Sequence, residues 1–330
     1  MVISRTPVRI SFFGGGTDYP VYFRTHGGET LVTAIDKFLT VSVHRLTQFF
    51  DHAIQVHYSK VESVKSLDEI QLPAARETLR YLGIESGVEL HLAADLPSRT
   101  GIGSSSATTV GLLTALHAYR GRMVDEETIA AQAVHIEQEM IGERVGCQDQ
   151  YACALGGFQH LRFHTDGSVA SRPVTIRPDR TDELSDSLML FYTSVQRTAH
   201  EVVKAQLDST REGRLDRHLE RMREQVGTAV SILNGGVPLV EFGRLMDEGW
   251  RLKRELSKDI SNPWIDELYS AARAAGADGG KILGAGGGGF LLLFADPSRQ
   301  AAVRASLSGL REVRFRFERQ GTRVTFYRAD

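Results

Sequence analysis

Short runs in the first half of the chain alternate apolar and polar residues, which is the pattern of half-buried strands. Val8, Ile10 and Phe12 form such a run, and it leads into three consecutive glycines, Gly14 to Gly16. The same alternation, bounded by turn-forming residues, predicts four more strands, and a helix is predicted among them. The strands cover residues 38–46, 53–58, 89–95 and 158–163, and the helix covers 74–82.

Two longer helices are predicted between these strands. An almost wholly apolar stretch through Val110, Leu113 and Leu116 predicts a buried helix. The second helix covers residues 126–141, and Asp125 is placed to cap its first turn. The middle of its apolar arc contains a carboxylate, Glu137. A buried carboxylate is costly unless a cation faces it, so the pattern predicts either a basic side chain or a metal ion there.

Helices dominate the second half of the chain. A polar stretch at 177–186 separates the halves, and we place the domain boundary between residues 183 and 184. After a strand over 188–192, helices are predicted over 198–212, 215–233, 238–257, 264–275 and 297–308. A strand pair flanks glycines 286–289, and a hairpin ends the chain.

Near the C-terminus, Val313, Phe315 and Phe317 alternate with charged residues, which predicts one more half-buried strand. Strands and helices follow one another irregularly and with mixed lengths along the whole chain. This favours an α+β fold in two domains, residues 1–183 and 184–330.

Composition excludes several classes of protein. The 330 residues carry 39 basic and 41 acidic side chains, a net charge of −2, which argues against a protein devoted to nucleic acid. No apolar run approaches the ~20 residues that cross a bilayer, so we expect no membrane partner. The N-terminus lacks a secretory signal, and two cysteines are too few for a disulfide framework. We therefore expect a cytoplasmic globular protein, whose oligomeric state composition leaves open.

Glycine is the residue type that departs from the average. The chain has 32 glycines against 9 prolines, and many of the glycines are clustered. Clustered glycine without proline is typical of segments in which the backbone approaches a ligand closely.

The most informative cluster precedes the apolar helix. Gly101 and Gly103 are followed by three hydroxyls, Ser104, Ser105 and Ser106. A helix start offers free N–H groups and a positive dipole end, so this segment predicts a phosphate cradle. It is not a Walker A loop, because no Gly-Lys-Ser/Thr follows. A serine-rich helix cap is the structural alternative, and a nucleophile elbow of the G-x-S-x-G type matches in part.

Two further segments carry candidate chemistry. Asp149 begins a short helical stretch twelve residues after Glu137, and it would either cap that helix or accept a proton in phosphoryl transfer. Residues 284–289 formally satisfy the dinucleotide-binding pattern G-x-G-x-x-G. A predicted strand follows them instead of the required helix, which excludes that interpretation and leaves tight backbone packing.

Three of these segments together resemble the motifs of the GHMP kinases, the family of galactokinase, homoserine kinase, mevalonate kinase and sugar-phosphate kinases. The segments are residues 7–19, 97–107 and 281–289, in the family's order. The resemblance implies an N-terminal domain similar to ribosomal protein S5 domain 2 and a ferredoxin-like C-terminal domain. It also implies an ATP-dependent small-molecule kinase with ATP and Mg²⁺ held between the domains.

The resemblance assigns roles residue by residue. Ser105 and Glu137 match magnesium ligands, and residues 101–106 match the loop that binds the ATP phosphates. Asp149 matches the catalytic aspartate, and Arg9 matches the basic residue beside it. Family members differ on whether this aspartate takes the proton or only stabilises charge, so its role stays open.

The same comparison suggests a substrate. Asp18 matches a sugar-hydroxyl ligand, and Gly15 and Gly16 replace the Glu-His pair of galactokinase-like chains, which frees volume beside the sugar. The pattern is most similar to the branch that phosphorylates D-glycero-D-manno-heptose 7-phosphate at the anomeric (C1) hydroxyl. We predict that Arg197, with Lys281 or Arg24, receives the 7-phosphate of such a sugar phosphate. The predicted substrate-binding set also includes Thr17, Gly286 and Gly287.

Two alternatives stay open at this level. Within the family, the same motifs are compatible with an L-fucose- or galactose-type sugar 1-kinase. In another class, the chain would be a non-catalytic sensor of sugar or nucleotide on the same fold. The presence of both Asp149 and Glu137 favours a working kinase.

Overall fold

The computed structural model describes residues 1–47, 49–98, 100–194 and 199–328, with the side chains of 199–202 excepted. The first half is built around an eight-stranded sheet of order β12-β1-β2-β5-β3-β4, to which β6 and β7 add beside β2. Its strands are β1 (Val2–Phe13), β2 (Gly28–Arg45), β3 (Ile54–His57), β4 (Val61–Val64), β5 (Val88–Ala94), β6 (Phe158–Phe163), β7 (Val169–Pro173) and β12 (Arg323–Tyr327). All the neighbouring strands in this sheet are antiparallel except β3 and β5, which run parallel.

Helices cover this sheet on the side of its apolar residues. The helices are α1 (Pro20–His26), α2 (Pro73–Tyr81), α3 (Ser104–Tyr119), α4 (Glu126–His135) and α5 (Gln148–Leu155), with a 3₁₀ turn at Leu67–Glu69 and a π-helical turn at Ile136–Met140. The apolar helix α3 packs against β1 and β2, as its composition predicts. Asp125 caps α4 by accepting a hydrogen bond from the Thr128 N–H at 2.8 Å, which confirms the predicted start of that helix.

A second, four-stranded antiparallel sheet of order β11-β8-β10-β9 lies in the second half. Its strands are β8 (Leu188–Tyr192), β9 (Gly279–Ile282), β10 (Phe290–Phe294) and β11 (Arg311–Glu312). The helices are α6 (Pro178–Ser187), α7 (Ala199–Arg211), α8 (Asp216–Asn234), α9 (Val240–Leu256), α10 (Pro263–Ala274) and α11 (Gln300–Ser306). Within the described part of the chain, no helix has the length and apolar character that a membrane span requires.

The second sheet is buried on both faces. Leu190 and Leu292 belong to the core that lies under the first sheet, whereas Phe191 and Leu291 belong to a second core with α8, α9 and α10. Helix α8 also contacts β1 and β2, so it joins the two halves. This packing brings the loop between β9 and β10 against the loop that precedes α3.

Four sequence expectations differ from the structure. The first is the hairpin predicted at the end of the chain, since β11 pairs with β8 and β12 pairs with β1. The predicted helix 126–141 is α-helical only to His135 and continues as the π-helical turn. The polar stretch 177–186 forms α6 because its polar residues occupy the exposed face of an amphipathic helix, so the predicted domain boundary falls inside a helix. Residues 313–317 are not a strand, apart from an isolated bridge between Phe317 and Ile35, because they pair with the first sheet at that point alone.

The last strand returns to the first half of the molecule. In β12, Tyr327 pairs with Val2 and Phe326 with Ile3 of β1, so the C-terminus completes the edge of the N-terminal sheet. The division at residue 183 stays a prediction. Strand β12 comes from the second half of the sequence but lies in the sheet of the first half.

Candidate active site

A buried ion pair joins the first strand to the start of α5. The Arg9 side chain, 3% exposed, donates from Nε to Asp149 Oδ1 at 2.7 Å and from Nη2 to Oδ2 at 2.5 Å. Burial alone would lower the pKa of Arg9, but the Coulombic attraction and hydrogen bonds of Asp149 outweigh it and raise that pKa. Two parallel N–H···O bonds fix the carboxylate in one orientation. Asp149 remains 26% exposed and is therefore accessible to a ligand.

Asp149 does not cap its helix. The N-cap position of α5 is Cys147, whose own side chain makes no capping hydrogen bond, and the free N–H group of Gln148 donates to Asp18 Oδ2 at 3.4 Å. The carboxylate is instead engaged by Arg9, so the capping alternative fails, and the catalytic role of Asp149 stays a prediction.

The third nitrogen of the same guanidinium holds the predicted phosphate loop. Arg9 Nη1 donates to Gly101 O at 2.6 Å, and the Arg9 backbone N–H donates to Ile102 O at 3.0 Å. Helix α3 then begins at Ser104, after Gly103 in the left-handed conformation at φ +75°. The arrangement places the open N-terminus of a sixteen-residue helix beside the Arg9–Asp149 pair.

The loop between β9 and β10 packs directly on this phosphate loop. A Cβ added to Gly101 would lie 2.4 Å from Leu283 O, and one added to Gly284 would lie 2.4 Å from Gly101 Cα. Both glycines also have positive φ, so no side chain fits at either position without moving the backbone. The glycine cluster 284–289 thus serves packing between loops, as the sequence indicated.

Glu137 is fully buried near the N-terminus of α3. Its Oε2 accepts hydrogen bonds from Ser106 Oγ at 2.9 Å and from Gln150 Nε2 at 2.6 Å. Its Oε1 accepts no hydrogen bond of proper geometry from the described residues. The Thr109 hydroxyl is nevertheless near enough to lower the pKa of Glu137, which opposes the effect of burial. Burial raises the pKa of Glu137 to about 7, and Glu143, another carboxylate, adds to this.

The predicted alternative of a Glu–Arg pair is not seen here, since no described Arg or Lys forms an ion pair with Glu137. The serine that contacts Glu137 is Ser106, whereas Ser105 is exposed. One residue along a helix turns the side chain by about 100°, which explains the difference. Ser105 as a metal ligand stays a prediction, and Ser106 is a further candidate beside it. Ser104 Oγ, also buried, has no described partner.

Asp18 lies in the same pocket at the end of the first glycine cluster. Its Oδ1 accepts from Gly16 N–H at 2.9 Å, and a Cβ added to Gly146 would lie 1.8 Å from its Oδ2. Burial, and then the charge of Asp149, raise the pKa of Asp18 to about 6. Asp18 and Asp149 are therefore close enough to interact electrostatically.

The remaining predicted substrate residues divide into two groups. Gly15 is partly exposed, and a Cβ there would meet Gln148 Nε2 at 3.7 Å, whereas Gly16 is buried, and a Cβ there would lie 3.1 Å from both Gln206 Nε2 and Leu219 Cδ2. Thr17 is fully buried, and its hydroxyl lies 2.8 Å from Gly14 O, so it already holds the turn.

The other group includes the glycines of the β9–β10 loop. The Gly287 N–H donates to Ile260 O at 2.8 Å, which fixes the loop, and Gly286 precedes it at φ +101°. Arg197 lies outside the described residues. The roles of Arg197, Gly286 and Gly287 with substrate stay predictions.

Two buried lysines lie beside these loops: Lys281, a predicted phosphate ligand, and Lys253, which the sequence analysis does not single out. Lys281 Nζ donates to Ser11 O at 2.9 Å and to Phe12 O at 2.8 Å, so two of its three donors are engaged by backbone, and its role with a substrate phosphate stays a prediction. Lys253, on α9, donates to Ile282 O at 3.3 Å and to Gly284 O. Burial, and then the charge of Arg9, lower the pKa of Lys253 to about 8. Lys253 follows Met246 and Trp250 on the buried arc of its helix, which is the signal that could have identified it.

A cleft of about 1420 Å³ lies elsewhere, between the C-terminal segment 313–319 and residues 173–190. It is lined by residues such as Asp36, Phe158 and Arg304, and by none of the predicted site residues. The candidate active site is therefore defined by its convergent polar groups, not by cavity size.

Comparison with known proteins decides the family. The model of the GHMP kinases N terminal domain matches residues 69–157, and that of the GHMP kinases C terminal domain matches residues 238–310. The chain belongs to the GHMP kinase family. The expected two-domain α+β architecture of these kinases is thereby confirmed, and the chain is a kinase.

Relatives of this GHMP kinase act on several small molecules. It is 29% identical over 311 residues to D-glycero-alpha-D-manno-heptose 7-phosphate kinase of Campylobacter jejuni, with 90% of each chain covered. It is 29% identical to the L-fucokinase/L-fucose-1-P guanylyltransferase of Bacteroides fragilis over 92% of its own length, which spans 35% of that longer protein.

Solved structures share its fold. A D-glycero-D-manno-heptose 1-phosphate kinase from Bacteriodes thetaiotaomicron superposes with a TM-score of 0.80 at 22% identity, covering 100% of both chains. Lactococcus lactis galactokinase complexed with galactose superposes with a TM-score of 0.77 at 17% identity, covering 98% of this chain and 94% of that one.

Proposed function

We propose that this GHMP kinase transfers the γ-phosphoryl group of ATP to the anomeric (C1) hydroxyl of a sugar phosphate, with D-glycero-D-manno-heptose 7-phosphate as the acceptor. The observation that carries the phosphoryl-transfer chemistry is the Arg9 guanidinium, which holds the Asp149 carboxylate and the Gly101 carbonyl of the phosphate loop at once. One side chain thus sets the distance between the group that would meet the acceptor and the loop that would meet ATP.

The residues present fit ATP and Mg²⁺. Gly101 to Ser106 offer backbone N–H groups at the start of α3, where a helix favours phosphate. Glu137 offers a buried carboxylate oxygen that accepts no hydrogen bond from the described residues, and a carboxylate with a serine hydroxyl is a donor set that Mg²⁺ accepts. Ser105 or Ser106 would supply that hydroxyl. Mg²⁺, when bound, would neutralise charge on the ATP phosphates.

The acceptor hydroxyl would lie against Asp149. Its oxygen attacks the γ-phosphorus, the bond from that phosphorus to the leaving ADP oxygen breaks, and the hydroxyl proton leaves to Asp149 or to solvent. Asp149 therefore either orients the hydroxyl or deprotonates it, while Arg9 keeps the carboxylate in place. Asp18 would accept hydrogen bonds from other sugar hydroxyls, and the absence of a side chain at Gly15 would leave room for a longer sugar, whereas Gly16 is packed against Gln206 and Leu219.

The choice of heptose phosphate rests on the Campylobacter relative, which is matched over 90% of each chain. Arg197 would bind the 7-phosphate. Lys281 is buried and already uses two of its three donors on backbone carbonyls, which favours Arg197 for this role. An L-fucose 1-kinase is the second candidate, since the Bacteroides fragilis fucokinase relative is matched over 92% of this chain.

The proposal is tested by measuring ADP release with heptose 7-phosphate, L-fucose, galactose and mevalonate under the same conditions, with the Asp149→Asn variant as a background control. We expect the highest kcat/KM on heptose 7-phosphate. No activity on that sugar, with clear activity on another acceptor, would overturn the substrate assignment. No activity on any acceptor, with sugar or nucleotide binding retained, would favour the sensor.

A further inference from the structure

Metal-ligating side chains gather on the solvent-facing side of the first sheet, on strands that carry none of the predicted active-site residues. Glu89 and His91 are two residues apart on β5, so they share a face. His57 lies on the neighbouring strand β3, directly opposite His91 in the ladder. The residues that alternate with them, Val88 and Leu90, belong to the apolar core.

The three side chains converge on a small volume. Their ligand atoms all lie within 4.8 Å of one another. Glu89 Oε1 is 2.7 Å from His91 Nε2 and 3.6 Å from His57 Nε2, so both imidazoles present the same nitrogen to one carboxylate oxygen. The two rings stack at 4.1 Å between centroids with an angle of 11° between their planes.

An unsatisfied nitrogen of His57 is a second, independent observation that points to a metal ion here. Its Nε2 atom is buried and has no hydrogen-bonding partner among the described residues, although the side chain as a whole is 29% exposed. A buried polar nitrogen without a partner is costly, and a metal ion would satisfy it. A third imidazole, that of His44 on β2, lies edge-on to His91 at 5.6 Å between ring centroids.

We propose that His57, Glu89 and His91 form a binding site for a divalent transition-metal ion, with Zn²⁺ as the ion that suits it best. Two imidazoles and one carboxylate are a donor set that Zn²⁺ prefers over Mg²⁺, and a water or His44 would complete a four-coordinate site. The rigid strands hold the ligands in advance of binding. Side-chain rotations would bring the ligand atoms to a common centre.

The site has a structural consequence that differs from catalysis. β3 and β4 form a hairpin at the edge of the sheet, and β5 is the strand that joins them to β2. An ion bound by His57 on one strand and by Glu89 and His91 on the next would cross-link this hairpin to the sheet. Because the ion binds the folded chain, it would raise the melting temperature with increasing metal concentration.

The test is calorimetric titration of zinc chloride into the full chain, purified without a polyhistidine tag, with and without His57→Ala, His91→Ala or Glu89→Gln. We expect one site that each substitution weakens by at least ~10-fold, because each removes a direct ligand. His164→Ala, an exposed histidine on another part of the surface, is the matched control and should bind like the wild type. Circular dichroism shows whether each variant is folded, and Glu89→Gln preserves side-chain shape.

Glu137 could itself bind Zn²⁺, so the titration is repeated in Glu137→Gln, where the surface site should persist. ADP release by the His57 and His91 variants should equal that of the wild type, which separates this site from the proposed kinase function. The proposal is overturned if the wild type binds no zinc, if binding survives both histidine substitutions, or if it is lost in Glu137→Gln alone.

Discussion

Arg9 forms two parallel hydrogen bonds to the carboxylate of Asp149, across 140 residues of sequence, and its remaining terminal nitrogen bonds to Gly101 O at 2.6 Å. The catalytic candidate and the phosphate loop are therefore positioned by one buried side chain. Replacing Arg9 should therefore affect both groups, whereas replacing Asp149 should leave the bond from Arg9 to Gly101 O in place.

Replacing Asp149 with Asn keeps the size of the side chain and removes its charge and one acceptor for Arg9. We expect kcat to fall by about 10²–10⁴, the range typical of a lost general base, while the Kd for ATP changes little. Turnover is measured by ADP release and nucleotide binding by calorimetry. Equal losses in both would instead indicate a structural role.

Replacing Arg9 with Lys keeps the charge but removes the two-point fork and the third bond to Gly101 O. An ammonium is a compact donor that does not reproduce the planar geometry. We therefore expect both a lower kcat and a weaker ATP affinity, in contrast to Asp149→Asn. A Lys variant with wild-type kinetics would show that charge alone suffices at this position.

Glu137→Gln should separate stability from activity. Burial raises the pKa of Glu137 from 4.5 to about 7. The charged carboxylate therefore lowers the free energy of unfolding fully above pH ~7, and it has no such effect below pH ~4.5. Without metal, the Gln variant should melt about 1–3 °C higher than the wild type at pH 8, and the difference should vanish near pH 4.5. Its Mg²⁺-dependent ADP release should be largely lost.

The same pKa predicts how the wild type responds to acid. A proton on Glu137 competes with Mg²⁺, so the Mg²⁺ concentration for half-maximal rate should rise roughly tenfold for each pH unit below about 7. A requirement for Mg²⁺ that stays constant from pH 7 to pH 5.5 would argue against Glu137 as a ligand.

Lys253→Met tests the lysine that holds the β9–β10 loop. The substitution removes the donor to Ile282 O and Gly284 O, so we expect a higher KM for the sugar acceptor. Burial lowers the pKa of Lys253 to about 8, so wild-type kcat/KM should fall as the pH rises through 8 and the Met variant should lack that fall. Lys258→Met, at an exposed lysine two residues beyond the end of the same helix, is the control and should resemble the wild type.

Gly101→Ala tests the contact between the two glycine loops. The new Cβ would lie 2.4 Å from Leu283 O, and the residue would also keep a φ of +82°. Gly121→Ala is a matched control, since Gly121 has φ +67° but nothing within 4 Å of the added Cβ. The free energy of unfolding of the control should fall by about 1–2 kcal/mol, because alanine is strained in this left-handed backbone conformation. Gly101→Ala should lose more stability than this and also lose ATP affinity. Equal effects in the two variants would argue against the loop contact.

The sequence by itself determined most features that depend on near neighbours in the chain. Alternation located β1 and β6, the Asp125 cap located the start of α4, and glycine spacing located the loops that approach each other. A carboxylate in an apolar arc identified Glu137 as unusual. These inferences succeed because side-chain direction repeats every 2 residues in a strand and every 3.6 in a helix.

The tertiary structure decided which groups meet. It showed the contact between Arg9 and Asp149, which the family resemblance implied and no local pattern predicts, and it placed Ser106 rather than Ser105 beside Glu137. It also buried Lys253 and Lys281. It also returned β12 to β1 and brought His57 beside His91 from separate strands. Such contacts depend on how strands and helices pack across long stretches of sequence, and local periodicity carries no information about that packing.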